Sequence, residues 1–313
     1  MDKPSKIILI SGPTSSGKSN FAIKLANKID GEIINADSMQ VYKQFSVLTA
    51  RPSKSENKKI KHHLYGFVNV DRNFSTGQWL KLTIKKIREI QKRKKTPIVV
   101  GGTGLYFQSL VSGLVKIPNI PINLRNKIRL TQNKLGQKKF YQNLLKLDPK
   151  VKNKFDKNDV QRTIRAFEIK LHTKISMYDW LNKTKSKFQD SEFLKLYMEL
   201  NREELIKKIA QRTLKMIKEG AIEEVKKFKK LKLKKERSAN KIIGINELCK
   251  YSDNQIKLDE AKELITIRTR QYAKRQATWA RSRMITWKKI NPNEISSWIK
   301  KINKSSLKLD QLI

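Results

Sequence analysis

The chain has 313 residues, of which 38% are hydrophobic, so it can bury a substantial core as one large domain with an insertion or as two domains. Its 70 basic and 28 acidic side chains give a formal charge of +42. This charge favours a polyanionic partner, nucleic acid first and an acidic membrane surface second, although A/T-rich codon usage would also enrich lysine. One cysteine excludes a disulfide framework, and no apolar run is long enough to span a membrane. We therefore expect a soluble, cytoplasmic protein.

The first predicted element is a buried strand, Ile7 to Ile10, that leads into a glycine-containing loop and then into a helix. The loop has the spacing of a phosphate-binding loop, in which backbone N–H groups converge on an anion, Lys18 adds a cation and the Ser19 hydroxyl can ligate Mg²⁺. The pattern does not distinguish a nucleotide from another diphosphate. The residues predicted to bind phosphate are Gly12, Pro13, Thr14, Ser15, Ser16, Gly17, Lys18 and Ser19.

A second predicted strand begins at Gly31 and leads to a carboxylate at Asp37. In an open parallel sheet, ligands bind beyond the carboxyl ends of the strands, so Asp37 is expected at the same edge as the phosphate loop. The alternative is that Asp37 only caps the following turn.

The next strong signals are an amphipathic helix over Thr76 to Lys92 and a strand from Thr96 that ends in Gly101-Gly102-Thr103-Gly104. Many P-loop NTPases place a Mg²⁺-organising aspartate at that position, so the glycines disfavour a hydrolytic motor. We expect backbone N–H groups and the Thr103 hydroxyl to serve a ligand there. The alternative is that the glycines only permit tight packing of strand and helix.

Between Pro118 and about Asp190 the alternation of strands and helices disappears, which predicts an all-helical insertion. Its bounds are placed at 118–190, and the catalytic core is predicted from 1–117 and 191–313. Arg162 and Arg165 lie near one side of a predicted helix, for which a solvated charged face is the usual explanation.

After the insertion, the pattern predicts a strand over Phe193 to Leu200, a helix capped at its end by Gly220 and a last long helix over about Asp259 to Thr286. The basic stretch at 225–237 either binds phosphates or a membrane surface, or is an exposed helix and loop. The last helix combines arginines with Tyr272 and Trp279, which suits a nucleic-acid groove; the alternative is that both aromatic rings pack in the core.

Taken together, these motifs resemble the tRNA dimethylallyltransferase family, whose members modify the adenosine just 3′ of the anticodon. The resemblance spans nearly the whole chain and rests on segments 12–19, 35–42, 49–52, 100–106, 158–168 and 273–281. This chain departs from the family at Ile245 and Asn246, where Tyr and a basic residue are usual. The resemblance implies an α/β fold: a P-loop NTPase-like parallel sheet flanked by helices, with an inserted all-helical domain.

The resemblance also implies roles for individual residues. Asp37 is expected to be the catalytic base, Thr103 to contact the adenosine and the diphosphate, and Lys18 and Arg212 to stabilise the leaving diphosphate with Mg²⁺ near Ser19. The residues expected to contact tRNA are Asp37, Ser38, Met39, Gln40, Thr103, Arg125, Gln161, Arg162, Thr163, Ile164, Arg165, Lys274, Arg275 and Arg281.

The implied substrates are dimethylallyl diphosphate and the anticodon stem-loop of tRNA, and the implied state is a monomer without a membrane partner. Two alternative functions remain compatible with the sequence. A small-molecule kinase would use the same loop for ATP but leaves the basic last helix unexplained. A non-catalytic RNA-binding module explains the charge but not the combination of Lys18, Asp37 and the Gly-Gly-Thr segment.

Overall fold

Two structural units make up the chain. The computed structural model describes residues 5–53, 58–182, 184–234 and 237–300. Unit 1 comprises Met1–Ser109 and Phe188–Ile313, and unit 2 comprises Leu110–Lys187. The insertion predicted at 118–190 overlaps unit 2.

Unit 1 is built on a six-stranded sheet in which every pair of neighbouring strands is parallel, in the order β3-β2-β4-β1-β5-β6. The strands are β1 (Ile7–Ser11), β2 (Gly31–Asn35), β3 (His62–His63), β4 (Thr96–Gly101), β5 (Phe193–Met198) and β6 (Lys288–Ile290). Strand β1 is buried throughout because its continuous apolar run has neighbours on both edges and helices on its faces. The predicted fold class is confirmed.

The α-helices of the described residues are α1 (Lys18–Ile29), α2 (Thr76–Lys92), α3 (Gly104–Ser112), α4 (Ile122–Leu147), α5 (Val160–Thr173), α6 (Met177–Asn182), α7 (Arg202–Lys218), α8 (Ala221–Lys229), α9 (Ile245–Ser252), α10 (Leu258–Arg283) and α11 (Ile295–Lys300). Among these described residues, none of the helices combines the length and the apolar character that crossing a bilayer requires. The helix predicted at 76–92 is confirmed, and it starts with a capping box between Ser75 and Gln78.

Several element boundaries differ from the prediction. Helix α10 stops at Arg283, three residues early, because Trp287 packs edge-on against Phe107 and the chain then joins the sheet as β6. Strands β3 and β6 were not predicted from the sequence. They have only two and three residues, respectively, and contain histidine or lysine. Gly220 has a φ of +98° but is the N-cap of α8, whereas Glu219 is the C-cap of α7.

Apolar clusters of the described residues stabilise unit 1, and two of them bear on the site. The first lies against the sheet, where Phe21 and Leu25 of α1 pack with β1, β4 and β5, and Trp298 of α11 meets Phe21 edge-on. The second joins segment 41–48 to α7, α8, α9 and α10. Its apolar side chains form one wall of the cavity described below.

The basic stretch at 225–237 contributes to the second cluster. Val225 is fully buried and Phe228 packs on Phe45 with ring centroids 4.8 Å apart. Val225 and Phe228 are therefore core, whereas Leu231 and the described lysines of the stretch are exposed. Residues 235 and 236 of the stretch lie outside the described residues.

Unit 2 has a helical architecture within its described residues, 110–182 and 184–187. Helix α4 is interrupted at Gly136, whose φ of +70° breaks the helical path. Phe140 of α4 stacks on Phe167 of α5 at 4.9 Å, and Leu144, Val151 and Ala166 complete the core. The helix-only character expected of the insertion matches these elements.

The approach of β2 to β4 gives a stability prediction. A Cβ at Gly101 would lie 2.1 Å from the Ala36 carbonyl oxygen, a backbone atom that cannot move without disturbing the sheet. We expect Gly101→Ala to lower the free energy of unfolding by about 2–3 kcal/mol in urea titration. Gly77→Ala is the matched control, because Gly77 is exposed in the first turn of α2 and alanine favours helix there. Equal stability of the two variants would contradict the prediction.

Candidate functional site

The phosphate loop joins β1 to α1 with a tight backbone. Gly17 adopts a φ of +83° and Ser15 a φ of +63°, conformations that turn successive N–H groups toward one side. A Cβ at Gly12 would lie 2.8 Å from Ser16 Oγ and 2.9 Å from Met198 Cβ. The loop is therefore packed closely against β5, and its shape depends on the glycines at its two ends.

Two hydroxyl groups of this loop are buried without a partner. Ser15 Oγ and Ser16 Oγ have essentially no exposed surface and form no hydrogen bond in the structure. Buried hydroxyls normally find a partner, so these two donors are suited to a bound anion. Ser19 is exposed in the first turn of α1.

Two cations flank the loop. Lys18 Nζ donates to the Pro13 carbonyl at 3.0 Å, and Arg212 of α7 donates to Thr14 Oγ1 at 2.9 Å. Burial lowers the pKa of Lys18 to about 8, and the neighbouring Asp37 carboxylate partly opposes that shift. Burial also lowers the pKa of Arg212, again against the attraction of Asp37.

Asp37 follows β2 and faces these cations. Asn35 fixes its backbone, because Asn35 Oδ1 accepts from Asp37 N at 2.8 Å and Asn35 Nδ2 donates to Asp37 O at 3.0 Å. Asp37 Oδ1 accepts from Met39 N at 2.8 Å, so the carboxylate does cap the turn, as the alternative held. The same side chain also lines the cavity, so capping the turn is compatible with the site role, which stays a prediction.

The Gly-Gly-Thr-Gly segment is tied to the Asp37 segment. Thr103 N donates to Ala36 O at 3.1 Å, and Ser38 N donates to Thr103 Oγ1 at 3.0 Å. The glycines permit close packing as well, since a Cβ at Gly104 would lie 2.3 Å from the Trp279 ring. The structure therefore supports the packing interpretation of this segment, and a role of Thr103 toward a ligand stays a prediction.

A cavity of about 340 Å³ opens between these elements. Its polar lining includes Thr14, Asp37, Ser38, Thr49, Arg212, Lys241, Thr269, Tyr272 and Arg275. Its apolar lining, most of it from the second core cluster, consists of Met39, Leu48, Ile209, Met216, Ile242, Ile243 and Ile265. The cavity thus places a charged region beside an apolar wall, which suits a ligand that is anionic at one end and apolar at the other.

Segment 46–51 forms part of that wall and is held in place by a carboxylate whose role no sequence motif predicted. Glu224 of α8 accepts from the backbone N–H groups of Ser46, Val47 and Leu48 at 2.6, 3.0 and 2.9 Å. Gln40 supports the same segment by donating to Thr49 O at 2.8 Å. No local pattern marks Glu224, because its partners lie more than 170 positions earlier in the chain.

Tyr272 of α10 lines the cavity. Burial raises the pKa of Tyr272, with Asp37 adding to the shift, so its hydroxyl stays protonated. This hydroxyl hydrogen-bonds with Thr103 and Gln276, and Arg275 lies 5.8 Å from the Tyr272 ring centroid. Spacing of Tyr272, Gln276 and Trp279 on one helix face is the signal that could have identified this group.

The other predicted RNA contacts are divided between unit 1 and unit 2. In unit 1, Lys274, Arg275 and Arg281 are exposed on α10. Ile245, which departs from the family pattern, is buried in the second core cluster, and Asn246 is exposed.

In unit 2, the buried carboxylate of Glu168 holds two of the predicted arginines, Arg125 at 3.4 Å and Arg165 at 3.2 Å. Arg162 pairs with Asp159 at 3.4 Å on the surface.

Three neighbouring positions of α5 complete the predicted set in unit 2. Gln161 is exposed and Ile164 is half-buried. Thr163 differs from the expectation, because it is fully buried, donates to Asp159 O at 2.7 Å and accepts from Gln137 at 3.0 Å. Its side chain stabilises the start of α5 rather than offering a group to RNA.

The lowered pKa of Lys18 predicts pH-dependent anion binding. As the pH rises through about 8, free Lys18 loses its charge, so the affinity for inorganic diphosphate should fall about tenfold from about pH 7 to about pH 9. Calorimetric titration in EDTA measures this change. Lys18→Arg is the control, because the arginine guanidinium keeps its charge over this pH range. Protonation of diphosphate itself affects the two proteins equally. Equal pH dependence of the two proteins would contradict the assignment.

Comparisons with known proteins point to one family. The family model described as IPP transferase matches residues 40–283. A tRNA dimethylallyltransferase from Pelagibacter ubique (strain HTCC1062) is 69% identical over 312 residues, which cover 100% of both chains. One from Rickettsia massiliae (strain Mtu5) is 41% identical over 303 residues, covering 96% of this chain and 84% of the relative.

Solved structures agree with these relatives. A eukaryotic dimethylallyltransferase, described as acting on tRNA, superposes with a TM-score of 0.83 at 28% identity, covering 98% of this chain and 79% of the other. The tRNA delta(2)-isopentenylpyrophosphate transferase of Staphylococcus epidermidis gives a TM-score of 0.67 at 31% identity, with 97% and 100% covered. Since the family model spans most of the chain and a relative matches it from end to end, this chain belongs to the IPP transferase family.

Proposed function

We propose that this protein transfers the dimethylallyl group of dimethylallyl diphosphate to the N6 amine of the adenosine 3′ of the anticodon in tRNA and releases diphosphate. Relatives named tRNA dimethylallyltransferase and a neighbour described as acting on tRNA support the proposal. The observation that carries it is the cavity, whose lining combines the carboxylate of Asp37 and three cations, Arg212, Lys241 and Arg275, with an apolar wall.

The diphosphate is assigned to the phosphate loop. Lys18, Arg212, the two unpartnered serine hydroxyls and the loop N–H groups surround the place where negative charge concentrates as the C1–O bond breaks. Such donors stabilise a transition state most when they are already in place, because no reorganisation is then required.

The dimethylallyl group is assigned to the apolar wall. Leu48, Met216 and Ile265 belong to a packed core cluster and line the cavity. An apolar surface excludes water from the electron-poor carbon that forms as diphosphate leaves. Attack by the amine is thereby favoured over hydrolysis.

Asp37 is assigned as the base. The N6 amine attacks C1 of the dimethylallyl group, a C–N bond forms, and the C1–O bond pair leaves with diphosphate. One N6 proton moves to Asp37, whose backbone is fixed by Asn35. Thr103, bound to the Ser38 N–H beside it, is proposed to contact the adenosine and the diphosphate.

A Mg²⁺ ion fits the site only as a partner of the diphosphate. Among the described residues, no group of three or more His, Cys, Asp or Glu side chains is arranged to hold a metal ion. Mg²⁺ keeps several waters and binds phosphate oxygens, so the single exposed hydroxyl of Ser19 is compatible with such an ion. When bound, Mg²⁺ would supply charge neutralisation for the departing diphosphate.

The tRNA is assigned to the basic surfaces of both units. Lys274, Arg275 and Arg281 on α10 are proposed to contact the RNA backbone, as are Arg125, Gln161, Arg162 and Arg165 of unit 2. Extruding the adenosine is least costly from a single-stranded loop, which agrees with an anticodon-loop target. We also propose a monomeric enzyme in the cytoplasm.

The rival kinase function has less support. A kinase requires a site for a polar acceptor beside ATP, whereas much of the cavity lining next to the phosphate loop is aliphatic. Consumption of ATP with a small acceptor, in the absence of prenyl transfer, would favour the kinase instead.

The first test of the proposal addresses Asp37. Incubating unmodified tRNA with the protein, Mg²⁺ and dimethylallyl diphosphate should yield N6-dimethylallyladenosine beside the anticodon, measured by nucleoside analysis. We expect Asp37→Asn to lower kcat about 100-fold or more, with tRNA affinity changed little, because the amide cannot take the proton. Asp71→Asn, an exposed control, should keep full activity. Full activity of Asp37→Asn would reject the assignment.

A second test addresses the basic face of α10. We expect Lys274→Ala combined with Arg281→Ala to weaken tRNA binding and to reduce the slope of log Kd against log salt by about 1–2, because fewer counterions are released. Filter binding over a salt series measures both effects. Lys81→Ala combined with Lys85→Ala removes the same charge from the exposed face of α2, and it should leave the slope unchanged if that face lies outside the RNA interface. Equal effects of the two double variants would reject a specific α10 contact.

A further inference from the structure

Gln276 of α10 contacts both loops that form the site. Its Oε1 accepts from Thr14 N at 2.9 Å, and its Nε2 donates to Gly102 O at 2.9 Å. The first partner belongs to the phosphate loop after β1 and the second to the loop after β4, the adjacent strand. One side chain therefore bridges two loops whose strands lie side by side.

The fit around this carboxamide is close. A Cβ at Gly102 would lie 2.2 Å from Gln276 Nε2, so the absence of a side chain there makes room for the amide. A carboxamide offers one acceptor and two donor hydrogens in a fixed plane and carries no charge. It can thus satisfy an N–H and a C=O together without repelling a bound anion.

Each bridged loop carries a different part of the proposed chemistry. Thr14 accepts from Arg212 on the diphosphate side. Thr103, next to Gly102, accepts from Ser38 N beside Asp37 on the amine side. The bridge therefore links the leaving-group side of the cavity to the side that carries the base.

We propose that Gln276 is a positioning residue that holds the phosphate loop and the Gly101–Gly104 loop in register, and so places the diphosphate relative to Asp37. This inference rests on the proposed function, and it assigns Gln276 no contact with the reacting atoms. Loss of the bridge shifts one loop against the other and impairs the chemical step more than the binding of tRNA.

Two variants separate this role from a general packing role. Gln276→Met keeps the length of the side chain but removes the hydrogen bonds to both loops and the one with the Tyr272 hydroxyl. Gln276→Glu keeps an acceptor and loses the donor while ionised, but its protonated carboxyl can again accept and donate. Gln271→Met is the control, because Gln271 is exposed on the same helix.

Rates of prenyl transfer are measured as kcat and as KM for each substrate. We expect Gln276→Met to lower kcat by about tenfold to 100-fold with KM for tRNA changed less than about twofold, and Gln271→Met to match the wild type. The rate of Gln276→Glu relative to wild type should rise as the pH falls from about 8 toward about 5, because the new carboxyl becomes protonated. An unchanged kcat for Gln276→Met, a loss confined to KM for tRNA, or a pH-independent deficit of Gln276→Glu would overturn the proposal.

Two further measurements are the Kd for inorganic diphosphate and the melting temperature of each variant. They distinguish failure of the Gln276 proposal from failure of the proposed function. If the wild type transfers no dimethylallyl group, the proposed function fails. A diphosphate Kd raised about tenfold in Gln276→Met, with an unchanged melting temperature, would still support the positioning of the phosphate loop. An unchanged Kd, or a weaker Kd that only accompanies a lower melting temperature, would overturn it.

Discussion

Unit 1 depends on one electrostatic constraint: two cations are partly buried beside one carboxylate. Lys18 and Arg212 lie near Asp37, and burial lowers the pKa of both cations despite its attraction. Two positive charges and one negative charge give these three side chains a net positive charge, which favours the binding of an anion. A bound diphosphate would supply the compensating negative charge, so the site is electrostatically complementary to the group that leaves in the proposed reaction.

The fold holds these charged side chains close to a cavity that is also lined by apolar residues of the core. The sheet positions the loops through the carboxyl ends of β1, β2 and β4, while α7 brings Arg212 from the other side. The helical core behind segment 46–51 provides the apolar wall, and Glu224 fixes that segment through three backbone N–H groups. Charged and apolar recognition therefore come from separate parts of the same unit.

Local patterns in the sequence predicted much of this arrangement. The phosphate loop follows an apolar run because that motif needs a strand before it and a helix after it, and α2 was predicted at its observed bounds because apolar residues recur at helical spacing. Asp37 and Thr103 were found because both follow buried parallel strands. Gln276 and Glu224 depend on partners 262 and about 177 positions away, which no local pattern encodes. Thr163 was misassigned because a motif match carries no information on burial.

The pairing of β1 with β5 sets an order of assembly. Ile7 pairs with Phe193, so the fully buried strand β1 gains its second neighbour only after all of unit 2 has been synthesised. During synthesis, β1, β2 and β4 can associate early, but the exposed edge of β1 has to wait for residues 193–198. Folding of unit 2 while the chain elongates would shorten the effective loop between β1 and β5 and lower the entropy cost of closing it. Early folding of the inserted helices would thus assist formation of the sheet that carries the candidate site.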